Sequence, residues 1–190
     1  MGTESGAVER VGWRGPQSAA EERRLVREAQ RGSREAITGL YAAHWQRAHR
    51  AAYLVVHDAA AAEDIAQDAF LAAIDALDRF DRRRPFGPWL HRIVVNRAID
   101  WGRREALRRT VDDPVSHADV PPPPEVVGED LMAALAQLPV DQRAVVVLRY
   151  LLEYKPGEIG RMLELPRGTV NSRLRRALDR LGALLAEVER

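Results

Sequence analysis

Four consecutive prolines, Pro121 to Pro124, interrupt a chain whose apolar residues otherwise recur in steps of three and four. Proline lacks the amide donor and disfavours helix in the residue before it, so no regular element passes through such a run. Residues 105–128 hold five prolines in all, and five acidic side chains against two arginines. That is the composition of a semi-extended, net-negative linker. On one side Leu25, Ala29, Ala36, Leu40, Ala43 and Ala51 mark helical stripes in a stretch that runs to Arg104; on the other, periodicity resumes at Glu129 and continues to Arg190. Alternation of β-branched residues is nearly absent. The expectation is an all-α fold with two small helical domains, residues 21–104 and 129–190, joined by a Pro-rich linker over 105–128. Residues 1–20, with four glycines and no periodicity, are expected to form a flexible tail. Helix breaks are expected at Gly32-Ser33, around His57-Asp58, between Arg84 and Pro88, at Pro139, near Pro156 and at Pro166.

Charge narrows the choice of partners. Although 30% of residues are charged, the formal net charge is only +1, so any DNA contact must come from local patches rather than from a general basic excess. The absence of cysteine removes disulfides and thiolate metal sites. No apolar run approaches the roughly eighteen residues of a membrane span, and the N-terminus lacks a signal-like apolar stretch. A cytoplasmic chain without membrane insertion is expected. His44, His49, His57, His91 and His117 form no H-E-x-x-H or comparable ligand spacing. Neither a metal, nor a cofactor, nor a catalytic residue is expected, and the chain does not read as an enzyme.

Residues 155–181, KPGEIGRMLELPRGTVNSRLRRALDRL, carry the first functional pattern. A short helix bearing Ile159, Met162 and Leu163 should end at Leu165-Pro166, and a second should start near Arg167 and Gly168. At 100° per residue, Val170, Leu174, Ala177, Leu178 and Leu181 form one apolar stripe. The opposite face carries Thr169, Ser172, Arg175 and Arg176, flanked by Arg167, Asn171, Arg173 and Arg180. Five arginines against one acid, Asp179, on one short helix suit a helix-turn-helix whose second helix enters the DNA major groove. Arginine pairs bidentately with guanine and asparagine with adenine, each worth roughly 1–3 kcal/mol of discrimination, while Thr169 and Ser172 can contact phosphates or bases. A stand-alone helix-turn-helix regulator has the same features, so this motif alone does not choose between classes.

Two helix faces in the first domain are less ordinary. In the segment AEDIAQDAF (62–70), within a helix expected from about Ala60 to Asp78, Ile65, Ala69, Ala72, Ala73 and Ala76 can pack inward. Asp64, Gln67, Asp68, Leu71, Ile74, Asp75 and Asp78 project the other way. Such a face repels DNA and attracts a basic protein surface, with the aliphatic residues supplying buried contact. In FDRRRPFGPWLHRIVVNRAIDWGRR (80–104), Arg82, Arg83 and Arg84 fall in a loop bracketed by Phe80 and Phe86. The following helix should bury Leu90, Ile93, Val94, Ala98 and Trp101. Trp89, Arg92, Asn96 and Arg103 share its other side with Ile99 and Asp100. An aromatic ring, an amide and arginines on one exposed face suit unstacked single-stranded bases, where aromatic stacking gives roughly 1–3 kcal/mol per base.

The order of blocks carries a family resemblance over about residues 20–185. AEDIAQDAF is followed by F-x5-F-x2-WL-x2-I-x2-N-x3-D (Phe80 to Asp100), a polar linker, LPVDQRAVVVLRYLLEY (138–154), then Glu158-Ile159 and N-S-R-L-R-R-A (171–177). Taken in sequence, these blocks resemble the extracytoplasmic-function (ECF) subfamily of bacterial RNA polymerase sigma factors. The resemblance implies that Asp64, Gln67, Asp68 and Leu71 grip core RNA polymerase. It implies that Phe80, the arginine loop (Arg82, Arg83, Arg84), Trp89 and Asn96 capture flipped bases of the −10 element, with Arg92, Arg97, Arg103 and Arg104 on nearby phosphates. Arg167, Asn171, Ser172, Arg175 and Arg176 would then contact the −35 element of promoter DNA. An anti-sigma factor is a further implied partner. Pro156, Gly160 and Asn171 depart from the family pattern, which more often has serine or threonine, alanine, and a basic residue there. The two elements lie on the order of 55 Å apart, and a linker of this length extends to roughly 70 Å, enough to join two reading units.

Overall fold

The computed structural model describes residues 18–108 and 128–188, and every regular element in them is helical. The proline run and the N-terminal tail expected over 1–20 lie almost wholly outside the described residues. The first unit comprises α1 (Ala19–Ala29), α2 (Arg34–Val56), α3 (Ala59–Asp75), a 3-10 turn (Leu77–Arg79) and α4 (Phe86–Arg108). The second comprises α5 (Glu129–Ala136), α6 (Val140–Val146), a π turn (Val147–Leu151), α7 (Pro156–Leu163) and α8 (Arg167–Val188).

The breaks fall where local chemistry demands them. Ser18, Ser33 and Asp58 each cap a helix by accepting a backbone N–H three residues on, at 3.1, 3.2 and 2.8 Å. Pro139 precedes α6, Pro156 occupies the first turn of α7, and Pro166 precedes α8. Helix α4 continues to Arg108, four residues past the boundary expected at Arg104. No helix breaker stands between Arg104 and Arg108, so nothing local ends it sooner.

Alanine makes the first unit compact. Ala48, Ala51 and Ala52 of α2, Ala62, Ala66, Ala69 and Ala73 of α3, and Ala98 of α4 are all fully buried, and small side chains let helix backbones approach closely. Larger residues (Val55, Leu90, Val94, Val95) fill the centre. In the second unit Val145, Leu148, Ile159 and Val170 play that part. The two cores are not separate. Buried residues of both units form one continuous apolar cluster, because α6, the π turn and α7 pack against α2 and α4.

Candidate nucleic-acid and protein-binding surfaces

The C-terminal pair of helices folds as the spacing of its prolines requires. Lys155 donates its backbone N–H to Glu158 Oε2 at 2.8 Å, closing the start of α7. Helix α7 stops at Leu163, and Glu164 turns the chain in the left-handed region, φ 56°. The turn is tight enough that Leu165 N–H reaches Gly160 O at 2.8 Å. A Cβ at Gly160 would lie 2.7 Å from Leu165 O. The glycine that costs helix propensity is therefore needed here, which accounts for that departure from the family pattern.

Helix α8 then buries Val170, Leu174, Ala177 and Leu181 as the stripe predicts, while Leu178 stays 43% exposed on the rim of an apolar groove. Arg167, Asn171, Ser172, Arg175 and Arg176 are exposed on its outer side and Thr169 is half-buried. Arg176 curls back onto Ser172, with Nε 3.2 Å from the backbone oxygen and Nη2 3.4 Å from Oγ. These side chains share one accessible face, as a major-groove reader needs.

On α3, Asp64, Gln67, Asp68 and Leu71 come together on an exposed face, with Leu71 60% exposed. Gln67 donates to Glu63 Oε1 at 3.1 Å, and Asp68 lies 3.8 Å from Arg97 of α4. Ile74 departs from its expected place beside Leu71. The 3-10 turn after α3 tucks Leu77 inward, and Ile74 lines a small apolar pocket with Ile37, Leu40, Phe70, Leu77 and Phe86.

The α4 region is altered most. Arg82, Arg83 and Arg84 occupy an exposed loop closed by Asp81, which accepts the N–H of Arg83 and of Arg84. Phe80, expected to meet bases, is only 7% exposed; its ring packs 4.5 Å from that of half-buried Trp89 and 6.0 Å from Phe86. Gln30 Nε2 holds the backbone oxygens of Leu77 and Phe80 at 2.8 and 3.0 Å, and so fixes this corner. Ile99, expected on the open side, is 6% exposed.

The cause is the second unit, which lies along that side of α4. Arg92 Nη2 pairs with Glu164 at 2.6 Å, Asn96 Nδ2 reaches Met162 O at 3.4 Å, and Arg103 pairs with Asp141 at 2.9 Å. Asp141 also lies 3.7 Å from Arg173 of α8. Arg47 of α2 donates to Leu151 O at 3.1 Å and lies 3.6 Å from Glu153. Deeper in the seam, buried His91 shares a 2.7 Å hydrogen bond between Nδ1 and the Tyr154 hydroxyl. Burial, with nearby His44 and Arg47 adding to it, holds His91 down to about 3; burial also pushes the Tyr154 hydroxyl up, against the opposing charge of Arg47. Burial first, then Arg143, lowers His57 to about 4. The Arg92–Glu164 and Arg47–Glu153 pairs are largely solvated and worth roughly 0–1 kcal/mol each, while Asp141 and Arg173 are more enclosed, so the seam is held by modest contacts around a small buried centre. Sequence reasoning placed the arginines and Asn96 on α4 but missed Glu164, Asp141 and the Met162 carbonyl as their partners, and likewise the pairing of Glu153 with Arg47 and of Tyr154 with His91.

An accessible arginine-bearing second helix and an acidic face on a separate helical unit are the surfaces that a DNA-binding protein which also docks on protein needs. Residues 40–108 match the sigma-70 region 2 family and residues 128–181 the sigma-70 region 4 family. The ECF sigma factor SigM of Mycobacterium tuberculosis is 37% identical over 156 residues, covering 81% of this chain and 79% of that protein. SigW of Bacillus subtilis, also an ECF sigma factor, is 29% identical over 182 residues, 87% of this chain and 97% of that one. Among solved structures, CnrH in complex with the cytosolic domain of CnrY matches with TM-score 0.65 and 30% identity, over 90% of this chain and 99% of that one. The sigma factor RpoE in complex with the anti-sigma factor NepR, from Bartonella quintana, matches with TM-score 0.62 and 26% identity, over 75% and 91%. The chain belongs to the ECF subfamily of sigma factors, transcription initiation factors that bring RNA polymerase to promoters. Its first unit is the region that reads and melts the −10 element, and its second the region that reads −35.

Proposed function

We propose that this sigma factor divides its work among three surfaces. The α3 face, through Asp64, Gln67, Asp68 and Leu71, docks on a basic, partly apolar surface of core polymerase. Helix α8 reads the −35 duplex with Arg167, Thr169, Asn171, Ser172, Arg175 and Arg176. The loop of Arg82, Arg83 and Arg84 and the side of α4 that bears Trp89 and Asn96 hold the melted −10 strand. There Trp89 is the ring on which a base stacks, Phe80 and Phe86 are its backing, Asn96 reads an edge, and Arg92, Arg97, Arg103 and Arg104 take phosphates. The protein works in the cytoplasm and is not an enzyme. CnrH and RpoE were each solved with a bound protein, CnrY and NepR; an anti-sigma factor restrains this chain in the same way.

The observation that carries this reading is the sorting of charge. The acidic side chains that would repel DNA share the exposed α3 face with Leu71, while the arginines of α8 and those of α4 other than Arg97, which borders Asp68 at 3.8 Å, lie elsewhere. Run-off transcription with purified core polymerase tests it: the chain should initiate at specific promoters. Asp64→Asn with Asp68→Asn should weaken association with core about tenfold while leaving helicity intact. Undiminished association would remove the α3 assignment. A gel shift with and without core separates the stand-alone regulator, which requires tight operator binding by the free chain.

A further inference from the structure

Helix α1 lies ahead of the residues that match region 2, which begin at 40, and none of the three surfaces above uses it. Apolar contact seats it: Val26 and Ala29 are buried, and Leu25 packs so close to α2 that an ideal Cβ at Gly39 would lie 3.2 Å from Leu25 Cδ2. Yet two half-buried side chains of α1 are polar, and both reach backbone groups of one loop. Gln30 Nε2 donates to Leu77 O at 2.8 Å and to Phe80 O at 3.0 Å, where the loop bearing Arg82, Arg83 and Arg84 begins. Glu22 Oε2 accepts the N–H of Phe86 at 3.3 Å, where that loop ends. Its other oxygen lies 3.0 Å from His44 Nε2 of α2. Pro85, the residue before α4, has no side-chain acceptor with which to cap it, and Pro88 in the first turn has no N–H. The Glu22 carboxylate supplies the missing acceptor and complements the helix dipole. His44 most, then the Phe86 and Gly87 N–H groups, hold Glu22 below the usual carboxylate value against the effect of burial. Between the two ties, Asp81 to Pro85 are all exposed. Three guanidinium groups so close together repel one another and favour an opened loop. Six residue steps could span about 20 Å, but the rings of Phe80 and Phe86 lie 6.0 Å apart, so the loop doubles back.

We infer that α1 is a brace for base capture: Glu22 and Gln30 are positioning residues that hold the two ends of the arginine loop, and so set its guanidinium groups beside Trp89 for an unpaired −10 strand. The inference rests on the −10 assignment of this loop and names what orders it. Both side chains act through the backbone. Gln30 works through Leu77 and Phe80, whose ring packs 4.5 Å from that of Trp89. Glu22 works through Phe86, whose ring lies 5.6 Å from Trp89. One helix therefore fixes the loop and the backing of the stacking ring together. A loop ordered before the strand arrives binds without the loss of freedom that ordering it on contact would entail.

Variants of the full chain, assembled with core polymerase, test the brace on a fork-junction DNA with an unpaired −10 strand. Gln30→Ala frees one end of the loop and Glu22→Ala the other, and each should weaken binding about fivefold. Glu22→Gln keeps an oxygen for the Phe86 N–H and should stay within about twofold of the wild type. Association with core, and duplex binding by α8, should not change in any of them. In a chain that already carries Arg82→Ala, Arg83→Ala and Arg84→Ala, Gln30→Ala should weaken binding no further, because the loop it holds has nothing left to place. An additive loss there, or a parallel loss of core association, makes α1 a general support of the unit and overturns the brace. Wild-type binding by Gln30→Ala overturns it as well, and decides alone if Glu22→Ala fails to fold. Glu22→Gln as weak as Glu22→Ala removes the capping role of Glu22. The triple arginine variant separates the brace from the reading beneath it. If that variant binds the fork as the wild type does, the loop does not meet the −10 strand and that assignment falls. If it binds weakly while Gln30→Ala does not, the brace alone falls.

Discussion

Helices α4 and α8 carry similar side chains and meet different fates. Both put arginines, an asparagine and a buried aliphatic stripe on a single helix. The outer side of α8 faces solvent, with only Arg173 drawn toward Asp141. The corresponding side of α4 is tied at Arg92, Asn96 and Arg103 and buried at Ile99. On the proposed assignments, the difference follows the state of the DNA each helix would read. Duplex is always available, so its reader loses nothing by standing open. Unpaired −10 bases exist only once the polymerase is in place, and a reader of single strands left open would bind any such strand it met.

The comparison breaks first at α8. Arg175→Ala with Arg176→Ala removes two exposed guanidinium groups, each worth roughly 1–3 kcal/mol if it reads a base, so initiation at a −35-dependent promoter should fall about a hundredfold. The loss should appear equally in duplex binding by the free chain, because nothing covers this face. If the free chain binds duplex as well as before while transcription falls, α8 is not open in the way described.

Trp89→Ala tests the other helix and should be milder. One stacked base contributes roughly 1–3 kcal/mol, so open-complex formation should drop about tenfold, measured by permanganate footprinting of the −10 strand. The free chain's affinity for duplex should not change. A duplex defect in the free chain would mean that α4 reads DNA without the polymerase, and the contrast between the helices would vanish. Since Trp89 also packs on Phe80 and Phe86, thermal melting of the variant should accompany the assay.

Helix faces were legible in the sequence; what lies against them was not. The stripe on α8 projects correctly because its core and its solvent side differ sharply in polarity. So does the α3 face, except for Ile74, whose burial depends on a 3-10 turn that no residue pattern announces. On α4 the projection found the arginines and Asn96 but read their side as open. A guanidinium or amide that suits phosphates and base edges suits carboxylates and backbone carbonyls equally well, so periodicity cannot tell DNA from a neighbouring helical unit. Phe80 was misplaced for a related reason: an aromatic ring beside an arginine loop serves stacking on bases and stacking on Trp89 alike. The partners Glu153 and Glu164 gave no signal, because their role depends on left-handed turns and on packing between residues far apart in the chain.

The smallest expected effect concerns the buried side of the seam. His91, held to about 3, faces His44, Arg47 and Glu22, and His57, held to about 4, faces Arg143. Both histidines have folded values below the ordinary 6.5, so between 6.5 and those values the unfolded chain binds more protons than the native one, and stability is lost as pH falls. Glu22, held below 4.5 chiefly by its hydrogen bond to His44, loses its contribution in the same direction, but only at lower pH. Going from pH 7 to pH 6 should therefore cost roughly 0.5–1 kcal/mol for each histidine, a fall in melting temperature of about 2–4 °C for a chain of this size. His91→Asn should remove about half of that slope, since His57 remains. An unchanged slope in that variant would mean that His91 takes up no proton on unfolding and that the buried side of the seam does not carry the pH dependence.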